Sequence, residues 1–150
     1  METSITQTIC QLTEAEPDLT IHYSDYSVLN KWELDLLGHA KTQTDLAYSR
    51  HISLDCRGNP LIAARSIAGP TAQSAEFLRG LGNRPLGNLL FQEKNWKRFG
   101  EIIPITIFEQ LFGRACLWRN TKDKMVLLVE EFFLPNLISY PNRSAKISRS

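Results

Sequence analysis

Long apolar runs are absent from this sequence of 150 residues. No stretch reaches the roughly 18 consecutive apolar residues that cross a bilayer, and the longest run, Met125 to Val129, is only long enough for a strand. The first residues, Met1-Glu2-Thr3-Ser4, lack the basic and apolar regions of a secretory signal. We therefore expect no membrane insertion and a cytoplasm-like, reducing location.

Cysteine and histidine are scarce. The residues are Cys10, Cys56, Cys116, His22, His39 and His51. The odd number of cysteines and the lack of CxxC spacing argue against a disulfide scaffold, and no pair of these residues has the spacing of a zinc site. We expect buried, reduced thiols and no bound metal.

An excess of charge of either sign is also missing. The 17 basic and 16 acidic side chains give a formal net charge of +1, so nothing in the charge favours nucleic acid as a partner. Hydrophobic residues make up 43% of the chain and charged residues 22%, which is ordinary for a globular domain. The length suits one domain. We place it at residues 1–140 and expect the polar, basic residues 141–150 to be a disordered tail.

The apolar pattern predicts an α+β fold. A first helix begins near Ser4 or Thr6 and ends at Thr13, and a helical insertion covers residues 72–81 and 88–91. Strands are predicted at residues 19–24, 50–67 (as a hairpin), 97–103, 115–119 and 125–133, while the period of residues 25–45 is ambiguous. Because repeated strand–helix–strand units are absent, we expect an antiparallel sheet of about five or six strands, with the helical insertion over a buried ligand pocket.

The predicted hairpin carries two arginines, Arg50 and Arg65. If Arg57-Gly58-Asn59-Pro60 forms a four-residue turn, Ile52 opposes Arg65 and the two arginines are diagonal neighbours on one apolar face. Each guanidinium can grip a carboxylate at two points, and a dianionic ligand would neutralise both. Alternatively, each arginine covers apolar surface with its stem at the rim of the sheet.

Two carboxylates, Glu130 and Glu131, interrupt an otherwise apolar strand that ends at Pro135. Alternation places them on opposite faces, so at least one lies among apolar neighbours, where its ionised form is disfavoured. One interpretation is structural: Glu130 faces solvent and Glu131 makes an ion pair. The other is that Glu131 is a general acid or base.

A glycine-rich segment, Gly80 to Gly87, surrounds Leu86. Glycines allow backbone amides to line up toward an anion, although an ordinary surface turn has the same composition. The segment contains no nucleotide-binding motif.

Three stretches together resemble the chorismate lyase family. They are Tyr48-Ser49-Arg50 through Gly58-Asn59-Pro60 to Ala63-Ala64-Arg65-Ser66, then Leu81-Gly82-Asn83-Arg84-Pro85-Leu86-Gly87-Asn88-Leu89-Leu90-Phe91, and finally Leu127 to Pro135. The resemblance runs from about Ser4 to Tyr140. It departs from the family pattern at residues 95–113, and the short N-terminal region is similar to the branch found in cyanobacteria and algal plastids.

The resemblance implies a lyase that converts chorismate to 4-hydroxybenzoate and pyruvate without a cofactor, at the start of a route to plastoquinone or ubiquinone. It implies that Arg50, Arg65, Glu131, the backbone of Leu86 and a contact at Ile5 bind the ligand. Glu131 and the two arginines would carry the catalysis. The location would be cytoplasmic, or the plastid stroma for a plastid-encoded chain. An alternative is an effector-binding-like protein that binds small aromatic acids without reacting them.

Overall fold

The computed structural model describes residues 17–38, 45–107 and 110–135. In chain order the elements of these ranges are β1 (Asp18–Val28), α1 (Lys31–Leu37), β2 (Leu46–Cys56), β3 (Asn59–Ala68), α2 (Ala72–Arg79), α3 (Leu86–Gln92), β4 (Trp96–Ile107), β5 (Leu111–Asn120) and β6 (Met125–Phe133). The predicted first helix and the tail lie outside the described residues.

The strands form one antiparallel sheet in the order β1-β2-β3-β6-β5-β4. This confirms the predicted α+β class and the sheet of five or six strands. In the described ranges, no helix is both long and apolar enough to cross a membrane.

The β2–β3 hairpin has a tighter turn than the sequence suggested. Arg57 and Gly58 both have positive φ, 53° and 81°, so they form a two-residue turn in which Cys56 pairs with Asn59. The register shifts between Asp55 and Leu54. On the side of this shift away from the turn, Ile52 pairs with Ala64 instead of with the predicted Arg65. Because side chains alternate with period two, this change of one residue moves Arg65 to the other face of the sheet.

One face of the sheet is covered by α2 and α3. Leu78 of α2 and Leu90 of α3 are buried in one apolar cluster with Trp96, Trp118 and Leu127 of the sheet. Thr71 caps α2 by accepting a hydrogen bond from the backbone N–H of Ser74. The Ser74 hydroxyl in turn accepts one from the N–H of Val126 at 3.0 Å. This hydrogen bond links the first turn of α2 to β6.

The opposite face is covered by α1, which the sequence pattern left unassigned. Asn30 begins the helix with a capping box, in which its side chain accepts from the Glu33 N–H while the Glu33 carboxylate accepts from the Asn30 N–H. Leu37 packs with Ile67 and Leu128 of the sheet. The helix therefore brings a buried carboxylate, Glu33, against this face.

Cys56 and Cys116 are buried, as expected, and Cys10 lies outside the described residues.

Candidate active site

Arg50 lies in the middle of β2 on the face covered by α2 and α3, and only 2% of its surface is exposed. Its Nη2 donates hydrogen bonds to the carbonyl oxygens of Gly82, at 3.0 Å, and Arg84, at 2.7 Å. Its Nη1 is buried and has no hydrogen-bond partner in the part of the chain that the structure describes. Burial lowers the pKa of the guanidinium from its ordinary value. A buried cation with an unused donor favours an anionic partner.

Glu131 lies on the same face, on β6. It pairs across the strands with Arg114 of β5, whose Nε donates to the Glu131 Oε1 at 2.9 Å. Burial raises the pKa of Glu131, and the positive charge and hydrogen bond of Arg114 work in the opposite direction. The ion pair expected from the structural interpretation is therefore present. Glu130, however, does not face solvent as that interpretation required, because it is 2% exposed.

A small cavity joins these residues. Its walls include Arg50, Glu131, Ser66, Ile52, Ile62 and Leu86. Leu86 is the first residue of α3, where a backbone N–H has no carbonyl partner within the helix. The cavity volume is about 30 Å³, roughly the share of one water molecule in the liquid. The structure thus brings Arg50, Leu86 and Glu131 together in a narrow, largely apolar space.

Arg65 does not belong to this group, and the prediction that it shares a face with Arg50 is wrong. In the observed register, Arg50 pairs with Ser66 and Arg65 pairs with His51. Arg65 points to the α1 face, where its Nη1 donates to the Glu33 Oε2 at 2.6 Å. The two arginines therefore cannot grip one ligand together, and a ligand contact for Arg65 stays a prediction.

A second carboxylate, Glu130, lies beside the Arg65–Glu33 ion pair, and its Oε1 is 4.0 Å from the Arg65 Nη1. Burial is the main reason why the pKa of Glu130 is raised to about 9, and the hydrogen bond with Glu33 and the negative charge of Glu33 raise it further. The positive charge of Arg65 offsets only part of this rise. Glu130 is therefore protonated at neutral pH. An open cavity of about 490 Å³ lies beside these groups, with Trp32 and Phe132 among its walls.

A protein-family model described as Chorismate lyase matches residues 1–142. The chain belongs to the chorismate lyase family. Three relatives are similar to it, each named a probable chorismate pyruvate-lyase. The protein from Marinobacter nauticus is 30% identical over 148 residues, which is 95% of this chain and 77% of the relative. The one from Cupriavidus pinatubonensis is 30% identical over 135 residues, 77% of this chain and 66% of the relative. The one from Halorhodospira halophila is 46% identical over 57 residues, 35% of this chain and 28% of the relative.

Within this member of the chorismate lyase family, sequence reasoning missed Arg114. The predicted strand began at Ala115, four residues after the observed start at Leu111, so it excluded Arg114 and no partner for Glu131 was visible. The turn at residues 121–124 pairs Asn120 with Met125, and counting back from that pair places Arg114 opposite Glu131. The length of the turn was therefore the signal that could have found it.

Glu33 was missed for a similar reason. Asn30 followed three residues later by Glu33 is the pattern of a capping box, and it predicts a helix start where the apolar period alone was ambiguous. Ile5 lies outside the described residues. Among the described residues, no group of three or more metal-ligating side chains comes together.

Proposed function

We propose that this chain is a chorismate pyruvate-lyase that eliminates pyruvate from chorismate to give 4-hydroxybenzoate. The ether bond between the ring and the enolpyruvyl oxygen breaks, and its electron pair leaves with the enolpyruvate, which then takes up a proton to become pyruvate. The adjacent ring carbon loses a proton, and the electrons of that C–H bond complete the aromatic ring. The reaction changes no overall oxidation state, and aromatisation drives it, so it needs orientation, charge neutralisation and proton transfer.

The observation that carries this proposal is the unused donor of Arg50. Among the described residues, the Nη1 of this cation, which is 2% exposed, has no hydrogen-bond partner, and Arg50 lines the same cavity as Glu131. Leaving a buried charged donor unpaired costs free energy, and a substrate carboxylate would recover it. We assign the Arg50 Nη1 to one carboxylate of chorismate and the Leu86 backbone N–H to a second anionic oxygen.

Among the described residues that line the cavity, the titratable side chains are Glu131 and Arg50. Because Arg50 remains charged, Glu131 is the one that can move a proton. We propose that it transfers a proton during the elimination. Burial raises the pKa of this carboxyl above its ordinary value, which is the direction that favours a general acid or base working near neutral pH.

The cavity has to widen for this substrate. Its volume of about 30 Å³ is far below the roughly 300 Å³ at which ligand pockets usually begin. The Pro85–Gly87 segment forms one wall, and the Arg50 hydrogen bonds to Gly82 and Arg84 hold the loop before it. We propose that this loop moves outward as the substrate enters.

We further propose, from the family resemblance, that the product supplies the head group of a quinone, plastoquinone or ubiquinone. The reaction would take place in the cytoplasm, or in the plastid stroma if the chain is plastid-encoded.

The test is turnover of chorismate by Glu131→Gln and Arg50→Lys, with Glu76→Gln, an exposed carboxylate on α2, as the matched control. We expect Glu131→Gln to lower kcat by about 100-fold or more, in line with the loss of a general acid or base. Glu76→Gln should behave like the unmodified protein. Unchanged turnover by Glu131→Gln would remove that residue from the proposal. Binding of 4-hydroxybenzoate without turnover by the unmodified protein would favour a non-catalytic aromatic-acid-binding protein.

A further inference from the structure

We propose that Arg114 is a positioning residue of this site: its guanidinium holds one oxygen of Glu131 in place and leaves the other for the substrate. The inference rests on the proposed function, because it concerns how Glu131 is prepared to transfer a proton.

The backbone of β5 and β6 sets up this pair. Arg114 and Glu131 face each other directly across the strands, so their side chains project from the same face of the sheet. The neighbouring Gly113 allows the strands to approach closely, since a Cβ built there would stand 2.1 Å from the carbonyl oxygen of Glu131. Only a glycine fits at that point. The position of Glu131 relative to Arg114 is therefore determined by tightly packed backbone.

The hydrogen bond leaves the two carboxylate oxygens in different states. The Arg114 Nε donates to Oε1 at 2.9 Å, and among the described residues no hydrogen bond engages Oε2. The side chains are 28% exposed for Arg114 and 18% exposed for Glu131, so solvent screens the pair only partly. A carboxylate held by one oxygen keeps a fixed orientation and a free lone pair for the reacting proton.

Two positively charged side chains among the described residues face Glu131, and each has a different role. Arg50 comes from β2, and its Nη1, which has no hydrogen-bond partner among the described residues, is assigned to the substrate; Arg114 comes from β5. The described residues of β3 and of the N-terminal end of α3 that line the cavity have no titratable side chain. They are Ile62, Ala64, Ser66, Pro85, Leu86 and Gly87. Arg114 is thus the cation in direct contact with the Glu131 carboxylate.

The consequence is a defined pH dependence. Burial raises the pKa of Glu131 and Arg114 opposes the rise. A neutral residue at position 114 removes the opposing interaction, so the pKa of Glu131 moves further upward. A lysine at the same position keeps the positive charge and should restore part of the original value. A role limited to packing would change stability or overall rate without moving this titration.

The experiment measures the Glu131 carboxyl itself. Its titration is followed by infrared difference spectroscopy, with Glu131→Gln as the reference that identifies the band, in the unmodified protein, Arg114→Met and Arg114→Lys. Arg119→Met removes an exposed arginine from the same strand and serves as the matched control. Circular dichroism checks that each variant is folded, and Arg114→Gln, which is also neutral, replaces Arg114→Met if the methionine variant does not fold.

We expect Arg114→Met to raise the pKa of Glu131 by about 1 to 3 units, the usual effect of a neighbouring arginine on a carboxylate. Arg114→Lys should move it by less, and Arg119→Met should leave it unchanged. The limb of the kcat/KM profile governed by Glu131 should shift by the same amount in the same direction. An unchanged Glu131 titration in folded Arg114→Met, or in folded Arg114→Gln if the methionine variant does not fold, would overturn the proposal.

The two proposals fail separately in this design. If the Glu131 titration shifts as expected but neither the unmodified protein nor any variant converts chorismate, Arg114 keeps its assigned influence on Glu131 and the lyase function is refuted. If the unmodified protein converts chorismate but the titration and the pH profile stay where they are in Arg114→Met, the lyase function stands and the assignment of Arg114 is wrong.

Discussion

Replacing Glu130 with glutamine should make the fold more stable at neutral pH. Glu130 is buried beside Glu33, and one arginine, Arg65, serves both carboxylates. The pKa of Glu130 in the fold is about 9, against an ordinary value of 4.5. The folded protein therefore holds a proton on Glu130 that the unfolded chain has already released at neutral pH.

The sign and the size follow from this difference. Between pH 4.5 and about 9 the native state binds one proton more than the unfolded state at this group, so the free energy of unfolding falls as pH rises, by about 1.4 kcal/mol per pH unit. From pH 4.5 to pH 7 the loss is on the order of 3 kcal/mol. A glutamine of the same shape has no proton to release, so Glu130→Gln should remove this dependence while its amide can still donate to Glu33.

The assay is urea unfolding at pH 5, 7 and 8.5, followed by circular dichroism. The free energy of unfolding of the unmodified protein should fall across this range relative to that of Glu130→Gln, so the difference between the two proteins should grow with pH. Glu76→Gln, which changes an exposed carboxylate, should run parallel to the unmodified protein. If Glu130→Gln also runs parallel to it, the buried, protonated state assigned to Glu130 is refuted.

Three further predictions concern the packing and the loop. Gly113→Ala should lower the free energy of unfolding by about 2 kcal/mol or more, because the alanine Cβ would stand 2.1 Å from the carbonyl oxygen of Glu131. A loss of less than about 0.5 kcal/mol in urea unfolding would contradict the close packing of β5 against β6. Arg65→Met should cost on the order of 3 kcal/mol in urea unfolding, because it leaves the fully buried Glu33 without its cation. A rise in the KM for chorismate would support the predicted ligand contact of Arg65, and an unchanged KM in the folded variant would refute it. Amide hydrogen exchange in residues 82–87 should slow when 4-hydroxybenzoate binds, because a ligand on Arg50 and Leu86 restricts the opening of the loop that Arg50 contacts. Unchanged exchange at saturating ligand would show that the ligand binds elsewhere.

Much of the fold could be predicted because its signals are local. Period-two alternation identified the hairpin and the last strand, and Thr71, Gly80 and the apolar residues between them are sufficient to predict α2. The capping box at Asn30 was equally local, but the apolar residues around it, Trp32 and Leu34 among them, suit either period. That helix became clear only with the structure.

The candidate site could be predicted only in part, because it depends on register. Arg50, Leu86 and Glu131 were identified mainly from the family resemblance, and the structure brings them to one cavity. The face of Arg65 depended on the number of residues in one turn, and an error of one residue was enough to reverse it. The Arg114–Glu131 pair depends on the register of two other strands in the same way. Periodicity within a strand carries no information about the strand beside it.

The central claim is that this chain eliminates pyruvate from chorismate at the Arg50–Glu131 cavity. The most direct measurement is product analysis by liquid chromatography and mass spectrometry after incubation of the purified protein with chorismate. We predict pyruvate and 4-hydroxybenzoate in equal amounts, formed in proportion to the protein added and not by the Glu131→Gln variant. Recovery of unreacted chorismate, or formation of a different hydroxybenzoate isomer, would contradict the account.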